Sequence, residues 1–479
     1  MLSVLSRYRF SVAIAIVPIA IAITIAMGTI APSAISAQTP TDATTAVPNA
    51  TSNDTLRLTL AQVRERALQA NPELRASRLD TAIARGELRQ SGVLPFNPSF
   101  EVLGPGGGNA TQPAVAQELE VFGQRGVRMA AARAGYARAT AEVANARRLT
   151  LGEVDRAFYR LVSAARRAQL ADEVLSLNQR LSTVTQRQLA EGEISRLDFN
   201  LATVEVGRSR SRALAAHREQ EEQAIELTRL IGLPRGTPIA PVRDSSEHAP
   251  APTSTTTVTP SAIPGDTVRL SERALTLDVD SLTALALSRR PDLAAGAAAA
   301  REASARASLS RREALPNFVV RGVWQRSAGE AQGRLSPGIG ITLPFFNRNQ
   351  GATQAREAAA TQAELMRAAL TTRVRAQVAS AVGAYRSAAQ EVEVLESTVL
   401  APARQNRQLL ETAYREGKVG LPVLILIRNQ ASDAELEYWT AWLAEREALA
   451  NLAEVTGQNT TQNSITQNTT MRNSPGTDQ

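Results

Sequence analysis

AEGEISRLDF at Ala190–Phe199 and YREGKVGLPVL at Tyr414–Leu424 each place a glycine at the end of a long helical pattern and restart a helix a few residues later, the signature of a helical hairpin turn. Other features recur at nearly the same offset. Leu68 and Asn71-Pro72 answer to Leu287 and Arg290-Pro291, Leu94-Pro95 to Leu315-Pro316, Val121-Phe122 to Phe345-Phe346, and Gly232 to Gly457. A period of about 220 residues is too long for a solenoid unit and marks a duplicated domain.

Working outward from the two turns, the chain divides into six parts. Residues 1–37 read as a signal peptide: Arg7 and Arg9 precede an apolar run, and Ser36-Ala37 offers a small-residue exit. A linker of disordered composition, 38–55, leads to the first repeat, 56–233. A Pro/Thr/Ser-rich linker, 234–274, leads to the second repeat, 275–457, and an Asn/Thr/Gln-rich tail of disordered composition, 458–479, closes the chain.

Within each repeat the hydrophobic period changes from helical to alternating and back. The first repeat predicts a helix over about 59–92 with an early break at Pro72. Two strands follow: Phe100 and Val102 share a face of one, and Val115, Leu119 and Val121 a face of the next, opposite Ala116, Glu118 and Glu120. The second repeat repeats the plan with Phe318, Val320 and Trp324, then Ile339, Ile341, Leu343 and Phe345. Six of the nine phenylalanines, Phe96, Phe100, Phe122, Phe318, Phe345 and Phe346, lie in or beside these strands, as the aromatic girdles of a membrane barrel require.

Very long helices come next, over about 125–191 and 350–416. Leu170, Val174, Leu177, Leu181 and Val184 step by four and three, as do Val374, Val378, Ala381, Tyr385, Ala388, Val392, Leu395 and Val399, so both predict a coiled-coil seam. Pro402 should kink or split the second. The helices flanking each long one have about half its length, so two halves stacked end to end match it. Four short strands cannot close a membrane barrel, because open edges in hydrocarbon leave backbone groups unpaired. Several chains must therefore pool their strands in a cyclic oligomer.

Composition excludes other classes. With no cysteine and only His217 and His248, which are far apart, thiol chemistry and Cys/His zinc centres have no ligands. No constellation of nucleophile, base or metal ligands is present, so no catalytic, cofactor or metal residues are assigned and an enzyme is not expected. The net charge of +7 falls to +5 without Arg7 and Arg9. The remaining arginines alternate with acids and Gln, which marks solvated faces rather than a nucleic-acid site.

The motifs resemble the TolC family of outer-membrane efflux proteins, and within it the CzcC-like heavy-metal branch. The likeness runs from about Leu56 to Gly457. LEVFGQRGVR at Leu119–Arg128 and LPFFNRNQG at Leu343–Gly351 resemble the family's strand-to-helix segments, on which Phe122, Gly123, Arg125, Phe346, Asn347 and Arg348 are the matching positions. The two opening segments are similar to its helix turns. The resemblance implies a mainly α fold with short membrane β-strands: two structural repeats form a long α-helical barrel plus a transmembrane β-barrel shared by a homotrimer. It implies a passive exit duct in the outer membrane of a Gram-negative-type bacterium, in contact with outer-membrane lipid and extended into the periplasm. A periplasmic adaptor (membrane fusion protein) and an inner-membrane RND-type transporter would be its partners, with divalent heavy-metal cations as cargo.

A channel for drugs or other organic solutes is the alternative, and a periplasmic adaptor a further one. By the same resemblance Gly192, Ser195, Asp198, Tyr414, Gly417, Val423 and Leu426 lie at the periplasmic tip or its adaptor contact. Asp198 has two readings there, a pore-facing anionic ring and a helix cap with Ser195. Val423 and Leu426 stand where the family pattern has aspartates, which replaces a second acidic gate by an apolar constriction.

Overall fold

The computed structural model describes residues 55–104, 112–242, 278–325 and 332–458. The expected signal peptide 1–37, the linker 38–55 except its last residue, most of the inter-repeat linker 234–274 and nearly all of the tail 458–479 lie outside them.

Local chemistry sets the helix boundaries. After a short strand β1 (Leu56–Leu58), Thr59 and Gln62 form a reciprocal capping box that starts α1 (Leu60–Ala70). Pro72 ends it and opens α2 (Pro72–Ser91), where the missing N–H is no loss and Asn71 Oδ1 accepts from the Leu74 amide at 2.9 Å. Strands β2 (Ser99–Leu103) and β3 (Gln112–Leu119) lead into α3 (Gln124–Ala190), whose 67 residues span about 100 Å. Helix α4 (Arg196–Leu230) returns and ends at β4 (Ile239–Pro241). The second repeat has α5 (Val279–Arg289), α6 (Pro291–Glu313), β5 (Phe318–Gln325), β6 (Arg334–Ile341), α7 (Gln350–Val394), a π-helical turn (Leu395–Leu400), α8 (Ala401–Arg415) and α9 (Leu421–Thr456).

The half-length helices do stack against the long ones. The 11, 20 and 35 residues of α1, α2 and α4 nearly equal the 67 of α3, and α3 packs against all three. Where two halves meet, exposed carbonyls at a helix end need donors. Asn71 Nδ2 donates to Leu230 O at 2.9 Å in the first repeat, and Arg290 Nη1 to Val455 O at 3.4 Å in the second. In the upper half the helices form a row, α2 on α3, α3 on α6, α6 on α7.

The sheet above repeats that order. Its strands run β2-β3-β5-β6, all antiparallel. Directly paired residues share a face, so one face collects Phe100, Val115, Val320, Trp324, Leu335 and Ile339, and the other Glu101, Ala116, Glu118, Arg321 and Ser336. The apolar face is bare: Phe100 is 69% and Ile339 79% exposed. Among the described residues neither β2 nor β6 has an outer neighbour. No described helix is long and apolar enough to cross a membrane.

Five aromatics, two of the three tryptophans among them, meet in the main core. Edge contacts run from Phe158 to Tyr159 on α3, across to Trp442 of α9 at 6.0 Å, and on through Trp439 at 5.3 Å to Tyr438.

Several expectations are corrected. The buried line of lower α3 runs through Leu170, Asn178, Leu181 and Thr185, while Val184 is exposed and Leu177 only half-buried. Apolar periodicity found Leu170 and Leu181 but put Leu177 and Val184 where Asn178 and Thr185 stand, because it cannot see short polar side chains used as seam residues; Thr185 Oγ1 donates to Ser182 O of its own helix at 3.0 Å. Val121 and Glu120 lie past the end of β3, where Glu120 forms a bidentate pair with Arg128 at 2.7 and 2.9 Å.

The start of the inter-repeat linker is not free chain, since β4 pairs in parallel with β1. Pro402 neither ends nor splits the helix into separate pieces. The preceding turn widens into π geometry, with the Ala401 amide donating to Glu396 O, and helical dihedrals continue through it. The seam residue there becomes Leu400, 1% exposed, rather than the half-buried Val399.

Candidate functional site

The two hairpin turns are built alike. Gly192 and Gly417 have φ of 77° and 72°, the left-handed region where a Cβ is penalised. Each sits in a Schellman close: Glu193 N donates to Gln188 O at 2.8 Å and Lys418 N to Ala413 O at 2.9 Å. The turns also share a core, because Leu181 and Ala202 of the first hairpin pack with Leu421, Leu424 and Ile425 of the second.

Their polar equipment differs. Ser195 caps α4: its Oγ accepts from the Asp198 amide at 3.1 Å and donates to Asp198 Oδ2 at 2.7 Å, and Asp198 Oδ2 accepts from the Ser195 amide at 3.4 Å. The capping geometry is therefore present, and Asp198 remains half-exposed while doing it. No side chain caps α9, which begins with Gly420 and Pro422. Val423 and Leu426 are 45% and 56% exposed on its outer face, and Leu421, Leu424 and Ile425 take the buried one.

Tyr414 links the two sides. Burial raises its hydroxyl pKa above the ordinary value, Arg428 opposes this, and the Asp198 carboxylate adds to it. Arg428, which the sequence motifs did not single out, is half-buried beside it: its Nη2 reaches Glu411 at 3.4 Å, while its Nε and Nη1 atoms are buried with no partner among the described residues. Burial lowers its pKa and Glu411 works against that. The signal was an arginine directly after the apolar run Leu421–Ile427.

The strand-to-helix segments form the second group. Gly123 and Asn349 hold φ of 78° and 57° just before α3 and α7, and in each the next glutamine folds back. Gln124 Oε1 accepts from the Phe122 amide at 3.0 Å, and Gln350 Oε1 from the Arg348 amide at 2.9 Å. The structural equivalence is therefore Phe122-Gly123-Gln124 with Arg348-Asn349-Gln350, two residues from the match of Phe122 to Phe346 read in the sequence. A shared Gln was the missed signal.

A side chain at Gly123 would strike Arg312, whose Nη1 donates to the Phe122 and Gly123 carbonyls at 3.2 Å. Phe122 lies 6.2 Å from the Phe318 ring. Arg125 is exposed, Phe346 is 96% exposed, and Asn347 Oδ1 accepts from the Asn349 amide at 3.0 Å. Among the described residues no three His, Cys, Asp or Glu side chains converge as metal ligands. The arrangement offers a rim of helix turns and a belt joining strands to helices.

Known proteins share this plan. The sequence profile described as outer membrane efflux protein matches residues 63–233 and 282–458, one stretch in each repeat. The cobalt-zinc-cadmium resistance protein CzcC of Cupriavidus metallidurans is 24% identical over 389 residues, covering 80% of this chain and 85% of that protein. Among solved structures, the Campylobacter jejuni outer membrane channel CmeC superposes with a TM-score of 0.66 at 12% identity, over 86% of this chain and 89% of that one. CusC superposes with a TM-score of 0.63 at 18% identity, over 83% and 92%. At these identities the superpositions show the fold alone.

Proposed function

The chain belongs to the outer membrane efflux protein family, and from that premise we propose that it is the exit duct of a tripartite efflux system, passing divalent heavy-metal cations outward without bond chemistry. It is an outer-membrane efflux channel; the cargo, the stoichiometry and the partners are the proposal. One observation carries the duct reading. Among the described residues, the sheet row β2-β3-β5-β6 and the helix row α2-α3-α6-α7 run in the same order and end in open edges. Rows with two different open edges join head to tail, and a closed ring of copies is a tube. Three copies, as the family resemblance implies, would make a strand barrel over a helical one, with Phe100 and Ile339 turned to lipid.

The rim at Gly192 and Gly417 would be the periplasmic tip, where a membrane fusion protein delivers solute from an RND-type pump. Asp198, half-exposed and repeated around the axis, would present carboxylates to cations. Likeness to CzcC supports metal as cargo. The exposed apolar pair Val423 and Leu426 supports the second reading, organic solutes.

Gene deletion separates the two. Loss of tolerance to cobalt, zinc or cadmium with unchanged tolerance to dyes and detergents is expected. The reverse pattern would replace metal by organic cargo.

A further inference from the structure

Where α6 begins and α9 ends, the second repeat holds a cleft of about 460 Å³ that no part of the duct reading uses. Its walls come from α3, α7, α9 and the α5–α6 junction, and they carry three guanidiniums, Arg148, Arg290 and Arg373, against one carboxylate, Glu454. The two acids nearby are already engaged. Asp292 forms a bidentate pair with Arg290 at 3.0 and 2.6 Å, and Glu454 is shared between Arg156, outside the lining, at 2.6 Å and Arg148 at 3.7 Å, so one carboxylate answers two guanidiniums.

Arg148 and Arg290 are 3% and 6% exposed, a costly place for two like charges. Burial lowers the Arg148 pKa, and Arg290 lowers it further. Arg373 stands exposed at the mouth with no ion pair or hydrogen bond among the described residues. Ser380 and Asn451 add neutral polar groups to the lining.

Structure alone does not demand this charge. Arg148 Nη1 donates to Glu454 O at 2.7 Å and Arg290 Nη1 to Val455 O at 3.4 Å, which closes the end of α9. At the matching joint of the first repeat a neutral side chain, Asn71, closes the end of α4 on Leu230 O. The second joint performs the same task with two cations, Arg148 from α3 of the first repeat and Arg290 of the second, and places Arg373 beside them.

We infer that this cleft is a binding site for a multivalent oxyanion, of the phosphate or polycarboxylate class, held by Arg373 at the mouth over the Arg148 and Arg290 guanidiniums. Planar guanidiniums suit such groups because they offer paired donors in fixed geometry. A bound anion would lock α7 to α9 and raise the stability of the joint by mass action.

The test uses the purified full chain as it assembles in detergent. Thermal unfolding is followed while inorganic phosphate, and in a second arm citrate, is titrated against sodium chloride of equal ionic strength. A saturable rise in midpoint above the chloride control is expected in at least one arm. In Arg373→Gln the midpoint concentration should rise by about tenfold or the effect vanish. In Arg375→Gln, an exposed arginine on the same helix outside the cleft, it should remain. No saturable rise in either arm, or an equal rise in Arg373→Gln, would overturn the site. Neither outcome bears on the duct reading, which does not depend on the cleft.

Discussion

The Asp198 carboxylate accepts from the Ser195 amide and the Asp198 amide donates to Ser195 Oγ in the first turn of α4; a carboxylate there also complements the helix dipole. The two roles proposed for it separate by substitution. Asp198→Asn keeps an acceptor for the cap and removes the charge, while Asp198→Ala removes both. If the carboxylate also faces the pore, both variants lower the cation selectivity of the purified channel in planar bilayers. Asp198→Asn should loosen the tip only by the lost dipole contribution of about 0.3–1 kcal/mol, and Asp198→Ala, which also loses the capping acceptor, by more, seen as faster proteolysis at the turn. Unchanged selectivity in Asp198→Asn would leave capping as the whole role. The S-x-x-D spacing made this box legible in advance. Arg428 was not legible, because its meaning comes from Glu411 and Tyr414 on another helix, and no local pattern records that.

At the scale of elements, Pro402 shows how a correct local rule can give an incomplete outcome. An interior proline lacks a donor and its ring crowds the carbonyl four residues back, so a break is the natural expectation. The chain instead widens one turn, a geometry often found as a single bulge inside a longer helix. Packing holds it there: Leu395 is 8% and Leu400 1% exposed, five residues apart, where an ordinary helix would bury positions three or four apart.

Deleting Thr398 returns these two leucines to ordinary helical spacing while leaving the proline with no π turn to accommodate it. The deletion should destabilise this segment by about 3 kcal/mol, and adding Pro402→Ala should recover most of that. Urea unfolding midpoints of the three proteins decide the matter. A deletion variant as stable as the parent would show that the π turn does not exist for the proline.

Helix positions and glycine stops were legible because capping and periodicity are local. The pairing of β1 with β4 was not. Each strand has only three residues, too few for a period to register, and their partnership spans the whole first repeat.

For the whole molecule, the duplication was the most informative feature of the sequence, yet it could not say how the copies lie together. The structure places them side by side through α3 and α6 and through β3 and β5, which leaves α2 and α7 as the outer helices of the row. Both present apolar residues outward: Leu79 and Ile83 are 63% and 61% exposed, Leu365 and Met366 67% and 63%. Patches of this kind mark association surfaces. Measured down from the strand end, Leu79 lies about 18 Å along α2 and Leu365 about 23 Å along α7, within one helical turn of each other.

In a closed ring, α7 of one copy must therefore meet α2 of the next at this height. Because the chain contains no cysteine, disulfide trapping can test the seam without background. Leu79→Cys combined with Leu365→Cys, or with Gln362→Cys nearly one turn closer to the strand end and about level with Leu79, should give a covalent trimer on oxidation in at least one combination, and each single variant should give none. A disulfide needs Cβ atoms about 4 Å apart, so the trapped pair also fixes the register. An oligomer that never cross-links at this seam would refute the row closure while leaving the ring intact. A wild-type chain that stays monomeric in detergent would remove the ring itself.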